Sequence, residues 1–492
     1  MVANFKYQDP GDRLIMNMFE LTLASGEIFL LTMICIILVT DLFLKDENRS
    51  VTLWLSVVAL IVTGVFVFNN TTQSSILIFS GSYIADPLSG VLKISSILAV
   101  IIGFIYSRDY LINNDLMKGE FFILSLFGLL GIFIMISANS LLVMYLGLET
   151  LALSLYALVA LDRDSSIAAE SAMKYFVLGA IASGSLLYGI SWVYGVTGSL
   201  EFNEIALTLN QRESLNSLPL WFGMAFIVVG IAFKFGAVPF HMWLPDVYQG
   251  ARTPVTLFIA TAPKLAAFAL VFRILADGLS QLHTEWQGII LILSLLSLVL
   301  GNVVAIAQTN IKRMLGYSAI GHVGFIFAAI STGSHEGYSA ALFYTITYVM
   351  MAAGAFGMIL LLSDKGFESD GLEDFKGLSQ RGPWFALMMM FFMLSMAGIP
   401  PWIGFFAKLD VINAVIGSGF SGFAVIMVLT SVVGAYYYLR IVWYMYFEEP
   451  LTSNSLNVSK DVKVIMSING LIILLLGVFP GWLMQLCDSV FG

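Results

Sequence analysis

Long apolar stretches alternate with short polar loops along the whole chain. A stretch of about 20 apolar residues is long enough for a helix to cross the hydrocarbon core of a bilayer. The pattern therefore predicts an all-α integral membrane protein with about 14 transmembrane helices. Their predicted positions are 22–44, 51–69, 83–107, 119–137, 139–161, 169–197, 218–240, 254–276, 287–307, 310–331, 338–363, 383–415, 420–447 and 463–487.

Proline and glycine interrupt two of these helices in the middle. Helix 7 contains GAVP at 236–239, and helix 12 contains AGIPP at 397–401. A proline inside a helix removes a backbone hydrogen bond and clashes with the preceding turn. Within a membrane the freed backbone groups must be satisfied by protein or by a wet cavity. We therefore predict that helices 7 and 12 are discontinuous, as in the ion sites of transporters. A simple packing kink is the alternative for each.

A weak internal repeat pairs two regions of the chain, each of which contains one interrupted helix. The sequence LGLE at 146–149 aligns with LGYS at 315–318, and AMKY at 172–175 aligns with ALFY at 341–344, both at an offset of 169 residues. The repeat pairs helices 4–8 with helices 9–13. Because five is an odd number, the two copies must be inverted in the membrane, which is typical of transporters.

The repeat predicts how the chain is organised. The N-terminal tail and helices 1–3 occupy residues 1–118, and the first inverted five-helix repeat occupies 119–276. The second inverted five-helix repeat occupies 287–447, and residues 448–492 carry helix 14. We call residues 119–276 the first half and residues 287–447 the second half.

Composition supports a membrane protein and narrows its chemistry. Apolar residues make up 59% of the chain and charged residues 11%, against about 25% charged residues in soluble proteins. The net charge of −9 argues against nucleic acid binding. Two cysteines and four histidines show no pattern of haem or iron–sulfur ligation. We therefore expect no redox centre, cofactor or metal in this chain.

Basic residues in the loops predict the orientation in the membrane. Fourteen Lys and Arg residues fall in or beside the odd-numbered loops, whereas the even-numbered loops contain only Arg212, and the N-terminal tail adds Lys6 and Arg13. The odd-numbered loops are therefore predicted to be cytoplasmic, and both termini periplasmic. The polar run at 363–381 is expected to be a solvated cytoplasmic surface.

The remaining basic residues lie inside predicted helices, where a charge is costly and suggests function by default. They are Lys93, Lys174, Lys234, Lys264, Arg273 and Lys408. Lysine can lose its proton when desolvated, whereas arginine effectively cannot. Lys174, Lys234, Lys264 and Lys408 are therefore candidates for moving protons. Lys174 and Lys93 could instead reach the membrane surface with their long side chains, and Arg273 is expected to mark a helix end.

Three further titratable residues belong to this group. Glu149 is a lone carboxylate in an apolar helix, so it should be protonated or paired, and Lys234 is its natural partner. His241 follows the break in helix 7, and His322 lies in helix 10. Histidine titrates near neutral pH and commonly bridges a proton path. A hydrogen-bonded structural role is equally compatible with each histidine.

Several motifs resemble the antiporter-like membrane subunits of respiratory complex I. They are KFGAVPFHMWLPDVYQGARTPVTLFIATAPK at 234–264, GLE at 147–149, QTNIKRMLGYS at 308–318 and MAGIP at 396–400. The resemblance covers nearly the whole chain. It implies that Glu149 and Lys234 match the family's ion pair, Lys264 its central connecting lysine and Lys408 the lysine of the second half-channel. Arg252 departs from the family, which usually has proline at that place.

The resemblance also implies a function. Members of this family translocate protons in the bacterial inner membrane, coupled to electron transfer from NADH to quinone. NADH, FMN, iron–sulfur clusters and quinone are bound by other subunits, and the partners are the other membrane-arm subunits. Two alternatives stay open: a subunit of a multi-subunit cation/proton antiporter with the same fold, and a non-conducting scaffold in which the lysines are dispensable.

Overall fold

The computed structural model describes residues 18–45, 48–211, 217–451, 456 and 458–491. The N-terminal tail with Lys6 and Arg13, and Arg212, lie outside the described residues. Within them, thirteen helices are long and apolar enough to cross a membrane. A further crossing consists of two shorter helices separated by a break, Pro383–Ala397 and Ile403–Gly417. The predicted all-α membrane fold with about 14 crossings is confirmed.

The first three crossings are α1 Ser25–Leu42, α2 Ser50–Asn69 and α3 Pro87–Asn113. A short antiparallel hairpin of β1 Ile76–Ile78 and β2 Tyr83–Ala85 precedes α3. The predicted start of helix 3 at residue 83 is therefore wrong. The helix begins after Asp86, whose side chain accepts a hydrogen bond from the Ser89 N–H, and Pro87 occupies the first turn. Both residues favour a helix start at that point.

The first half contains two discontinuous crossings after three continuous ones. The continuous helices are α4 Gly119–Ser137, α5 Leu141–Val159 and α6 Ser166–Thr197, followed by the short α7 Phe202–Asn210. The next crossing is α8 Leu218–Phe235 with α9 Trp243–Gly250. The last is α10 Thr253–Ala260 with α11 Ala262–Val271, which continues as a π-helical turn Phe272–Gly278.

The second half follows a 3₁₀ turn at Ser280–Leu282. Its helices are α12 His283–Ile306, α13 Ile311–Ser331 and α14 His335–Leu362. A 3₁₀ turn Leu372–Phe375 and α15 Leu378–Arg381 lead to α16 Pro383–Ala397, α17 Ile403–Gly417 and α18 Ser421–Phe447. The predicted last helix is two helices, α19 Lys460–Val478 and α20 Gly481–Ser489, because Pro480 separates them.

The two predicted breaks are confirmed, and they share one design. The helix α8 ends at Gly236 with φ +75°, and α16 ends at Gly398 with φ +82°. Only glycine adopts this left-handed conformation without steric cost. The Val238 N–H donates to Ser297 Oγ at 3.0 Å, and the Gly404 N–H donates to Ser395 Oγ at 3.1 Å. Serine side chains therefore satisfy backbone groups near each break, as a membrane interior requires.

A third break was not predicted. Thr261, with φ −114° and ψ −97°, separates α10 from α11 where the sequence indicated one continuous helix. Pro263 lies in the first turn of α11 and cannot donate a backbone hydrogen bond to α10. Lys264 follows directly, so the break determines where its side chain begins.

The helices differ strongly in how far neighbouring helices enclose them. In the most apolar part of each crossing, 94% of the residues in Thr253–Gly278 and in α13 are buried, compared with 22% in α1 and 28% in α18. The most enclosed helices carry Lys264 and His322. The candidate functional groups of these helices are therefore shielded from lipid by protein on all sides.

Candidate functional site

Lys264 binds the end of a broken helix. Its side chain is 3% exposed, and its Nζ donates a hydrogen bond to the Phe235 carbonyl oxygen at 2.8 Å. Phe235 is the last residue of α8, where carbonyl groups lack partners within the helix and carry the negative end of its dipole. The end of α8 therefore supplies an acceptor and a favourable field for the Lys264 ammonium.

Lys234 lies at the same end of α8. It is in the last turn of the helix, and its Nζ lies 6.0 Å from the centre of the Phe233 ring. Both lysines therefore stand at the end of α8, Lys234 as part of its last turn and Lys264 as a donor to its last carbonyl group.

Glu149 does not form the expected direct ion pair with Lys234. The two side chains are within electrostatic reach of each other, yet Glu149 Oε1 is buried and has no hydrogen-bond partner among the described residues. The helix α6 packs against both α5 and α8 and holds the helices that carry the two residues apart. The Tyr156 hydroxyl is also buried without a partner in the described part of the chain. The carboxylate therefore acts on Lys234 across a gap.

In the second half, Lys408 also binds the last carbonyl group of a broken helix. Its Nζ donates hydrogen bonds to the Ala397 carbonyl oxygen at 2.9 Å and to Ser431 Oγ at 2.8 Å. Ala397 is the last residue of α16. Asp410 is not among the hydrogen-bond or ion-pair partners of Lys408 within the described residues, as expected for positions two apart on a helix.

The two lysines bind equivalent carbonyls but come from different helices. Lys264 is on α11, in the crossing that follows the broken helix, whereas Lys408 is on α17, the second part of the broken helix itself. Phe235 and Ala397 each directly precede the left-handed glycine of a broken helix. Gly398 also leaves room for the lysine, since a Cβ atom there would lie 2.7 Å from Lys408 Cδ. Each half therefore binds one buried lysine with the same backbone group.

The helix α13 lies between the two lysine sites. The ring of its Phe327 is 4.9 Å from that of Phe235, whose carbonyl binds Lys264. The ring of its Phe325 is 5.5 Å from Lys408 Nζ. One helix therefore contacts both sites through residues two positions apart.

His322 joins α13 to a buried network of hydroxyl groups. Its Nδ1 lies 2.7 Å from the Tyr344 hydroxyl oxygen, and its Nε2 lies 3.0 Å from that of Tyr438. The Tyr438 hydroxyl is in turn hydrogen-bonded to the Ser318 hydroxyl. Hydroxyl groups both donate and accept, and imidazole titrates near neutral pH. His322 is also within electrostatic reach of Lys408, so this network can pass a proton near that lysine.

Lys174 and His241 are placed apart from the buried lysines. Lys174 is half-exposed and binds Glu170 and Asp246, each at 2.9 Å, and Asp246 also binds Arg313 at 2.6 Å. His241 is half-buried in the linker between α8 and α9, and its Nδ1 has no hydrogen-bond partner among the described residues.

Two further charged residues are buried in ion pairs. One is Lys93, for which snorkelling to the membrane surface was one interpretation, and the other is Arg273, which stands just past the end of α11 as expected. Lys93 binds Glu27 at 2.5 Å and the Tyr83 hydroxyl at 2.9 Å, so the snorkelling alternative is wrong. Arg273 lies in the π-helical turn and binds both oxygens of Asp86, at 2.9 and 2.7 Å. Removing one partner of such a buried pair would leave an uncompensated charge and would strongly destabilise the fold.

The polar run at 363–381 is partly buried, which contradicts the expected solvated surface. Glu368 accepts hydrogen bonds from Lys312 Nζ at 3.0 Å and from the Thr253 N–H at 3.0 Å. Burial by itself would raise the pKa of Glu368, but Lys312 and Thr253 together hold this pKa below its usual value. Arg252 binds Asp162 at 2.6 Å and approaches Glu368 at 3.5 Å. This cluster ties the first half to the second.

Two broken helices, each with its last carbonyl bound to a buried lysine, are typical of ion-translocating membrane proteins. The family model described as "NADH:quinone oxidoreductase/Mrp antiporter, TM" matches residues 138–434. The chain belongs to this family.

Within the family, the chain is most informatively compared with subunit N proteins. It is 54% identical to NADH-quinone oxidoreductase subunit N of Thioalkalivibrio sulfidiphilus, over 94% of this chain and 96% of that protein. It is 51% identical to subunit N of Thiobacillus denitrificans, over 97% and 99% of the two chains. It also resembles a chain in the structure of respiratory complex I from Thermus thermophilus with bound aureothin, with a TM-score of 0.80 and 30% identity over 94% and 98% of the two chains.

Proposed function

We propose that this chain is a proton-translocating membrane subunit of an NADH-quinone oxidoreductase. Electron transfer from NADH to quinone elsewhere in the complex drives protons through the buried lysines of this subunit. The observation that carries the proposal is the repeated site, in which Lys264 Nζ and Lys408 Nζ each bind the last carbonyl of a broken helix.

The chemistry of these sites suits a relay. A buried ammonium is stabilised by the carbonyl and by the negative end of the half-helix, whereas burial itself favours the neutral amine. The two protonation states are therefore closer in free energy than they would be for a lysine in water. A change in charge at a neighbouring site can then decide which state is populated.

The proposed path begins at the Glu149 and Lys234 pair and continues to Lys264. From Lys264 the path crosses α13, which carries His322 and its hydroxyl network, and reaches Lys408. Each arriving proton disfavours the proton on the next lysine, so protons are pushed along the path. His241 stands at the first break, and Lys174 stands at the surface beside Asp246; we assign them supporting roles outside the central path.

The proposed assembly follows from the relatives. NADH, FMN, iron–sulfur clusters and quinone are bound by other subunits, and the partners of this chain are other membrane-arm subunits. The protein lies in the bacterial inner membrane with odd-numbered loops in the cytoplasm and both termini in the periplasm. A cysteine placed at the exposed Lys365, in a variant lacking Cys35 and Cys487, should react with an impermeant thiol reagent only after cell lysis. Reaction in intact cells would reverse the orientation.

The relay is tested with Lys264→Ala and Lys408→Ala in purified complex reconstituted into vesicles. We expect each variant to assemble and to lose at least about tenfold in proton pumping, because the site that holds the transferred proton is gone. The matched control is Lys365→Ala, which removes an exposed lysine paired with Asp115 at 3.1 Å, and pumping should stay near wild type. Normal coupled turnover in both buried-lysine variants would favour the scaffold alternative. Purification of the chain in a complex that exchanges cations for protons without NADH dehydrogenase activity would favour the cation/proton antiporter alternative.

A further inference from the structure

The two carbonyl-bound lysines differ in one contact. Within the described residues, Lys264 Nζ has a single hydrogen-bond acceptor, the Phe235 carbonyl oxygen at 2.8 Å. Lys408 Nζ has the equivalent carbonyl of Ala397 and, in addition, Ser431 Oγ at 2.8 Å. The extra partner comes from α18, which packs against both halves of the broken helix.

A hydroxyl and a carbonyl serve a titrating amine differently. A carbonyl oxygen only accepts, so it stabilises the ammonium and offers nothing to the lone pair of the neutral amine. A serine hydroxyl accepts from the ammonium and can rotate to donate to the neutral amine. Ser431 can therefore serve the N–H groups of Lys408 when it is charged and its lone pair when it is neutral. Neutral Lys264 can still donate to the Phe235 carbonyl, but that carbonyl offers its lone pair no donor.

Ser431 also lies on the same face of α18 as Tyr438, because positions seven apart on a helix are nearly aligned. The Tyr438 hydroxyl binds His322 Nε2 at 3.0 Å, and His322 is within electrostatic reach of Lys408. One face of α18 therefore carries hydroxyl groups that contact both Lys408 and the His322 imidazole.

We infer that Ser431 is a positioning residue for proton transfer at Lys408, holding the Nζ atom at the end of α16 in its charged and neutral states. This inference rests on the proposed function. Ser431 makes no covalent change. It fixes the place from which Lys408 releases its proton.

Other charged groups near Lys408 must be kept constant when this is tested. His322 faces it from α13, and Asp410 is on the same helix as Lys408. Asp410 in turn is within electrostatic reach of Asp488 of α20. None of these residues is hydrogen-bonded to Ser431 within the described part of the chain, so replacing Ser431 leaves their direct contacts in place.

The experiment compares Ser431→Ala, Ser431→Thr and Thr430→Val in the intact complex in vesicles, measuring NADH-driven pumping as a function of pH. Ser431→Ala removes an acceptor from a charged donor, so the limb of the profile that reports Lys408 deprotonation should move about one unit to lower pH. Ser431→Thr keeps the hydroxyl and should restore the wild-type profile. Thr430→Val is the matched control, since the Thr430 hydroxyl bonds, among the residues described, to carbonyls of its own helix, those of Ile426 and Met427.

Lys408→Ala, measured in parallel, distinguishes a failure of the proposed relay from a failure of the positioning role of Ser431. If Lys408→Ala loses pumping while Ser431→Ala gives the wild-type pH profile, the positioning role is wrong and the relay stands. If Ser431→Thr shifts the profile as far as Ser431→Ala does, the effect is one of packing and the hydroxyl role is wrong. If Lys408→Ala pumps normally, both the relay and the positioning role fall.

Discussion

The two halves of the molecule share a backbone frame and differ in the chemistry placed on it. In each half a helix ends at a left-handed glycine, and the carbonyl just before that glycine binds a buried lysine. In the first half, the same helix end also carries Lys234, with Glu149 within electrostatic reach. In the second half, Lys408 has the hydroxyl of Ser431 beside it and the imidazole of His322 within electrostatic reach.

The difference shows that the backbone frame and the side chains placed on it are set separately. Lys264 reaches its carbonyl from the crossing that follows the broken helix, and Lys408 reaches its carbonyl from the second part of the broken helix itself. Glycine and proline supply the two breaks, and the surrounding side chains decide which groups accompany each lysine.

The largest effect is expected from arginine at the buried lysine positions. Lys264→Arg and Lys408→Arg keep the positive charge but cannot give up a proton, so pumping should fall at least about tenfold in assembled complex. The measurement is proton uptake per NADH oxidised in vesicles. Lys174→Arg provides a comparison at an exposed, paired lysine, where a loss of less than about twofold is expected. Full pumping with arginine at either buried position would show that charge alone suffices there.

A smaller effect is expected from the two break glycines, and it should differ between the halves. A Cβ at Gly398 meets Lys408 itself, whereas a Cβ at Gly236 meets Leu244. Either Gly→Ala change costs about 1–2 kcal/mol through the left-handed conformation. Only Gly398→Ala also displaces a relay lysine, so it should lower pumping more than Gly236→Ala at equal levels of assembled complex. Gly422→Ala meets no atom within 4 Å and serves as the control. Equal losses at the two breaks would contradict the comparison.

The hydroxyl network of the second half should contribute less than the lysines. His322→Gln removes the titratable ring, and pumping should fall by a factor of about 3–10 while quinone reduction by the complex is partly retained. Tyr344→Phe removes one hydroxyl partner of His322 and should cost about twofold to threefold. Tyr188→Phe changes a tyrosine that is 49% exposed and should change nothing. A His322→Gln complex that pumps like wild type would remove the histidine from the path.

The smallest effect concerns the contact that joins the halves. The folded-state pKa of Glu368 lies below its usual value, so its contribution to stability is present above its unfolded pKa and is lost as pH falls through the folded pKa. The unfolding temperature of detergent-solubilised complex should therefore fall on acidification below about pH 4.5. The Glu368→Gln variant should have an unfolding temperature a few degrees lower than wild type at neutral pH. Its unfolding temperature should fall less on acidification. Glu449→Gln, at an exposed site, should match wild type; an identical acid response in Glu368→Gln would rule out this carboxylate.

Much of the architecture could be predicted from the sequence. The crossings follow from hydropathy because a helix must satisfy its own backbone within the bilayer. The two main breaks follow from proline and glycine, which act locally on the backbone. The break at Thr261 carries one of the same local signals, Pro263, but no glycine accompanies it, and the sequence was interpreted as one continuous helix.

What the sequence by itself determined is which residue types stand in apolar helices and where those helices are interrupted. It could not distinguish Lys93, which is buried with Glu27, from Lys174, which is exposed beside Asp246. Nor could it show that Lys264 and Lys408 bind equivalent carbonyls, or that Glu149 faces Lys234 across a gap. Burial and hydrogen-bond partners depend on neighbouring helices distant in sequence. Only the tertiary structure, which brings those helices together, decides which carbonyl, hydroxyl or carboxylate group each lysine meets.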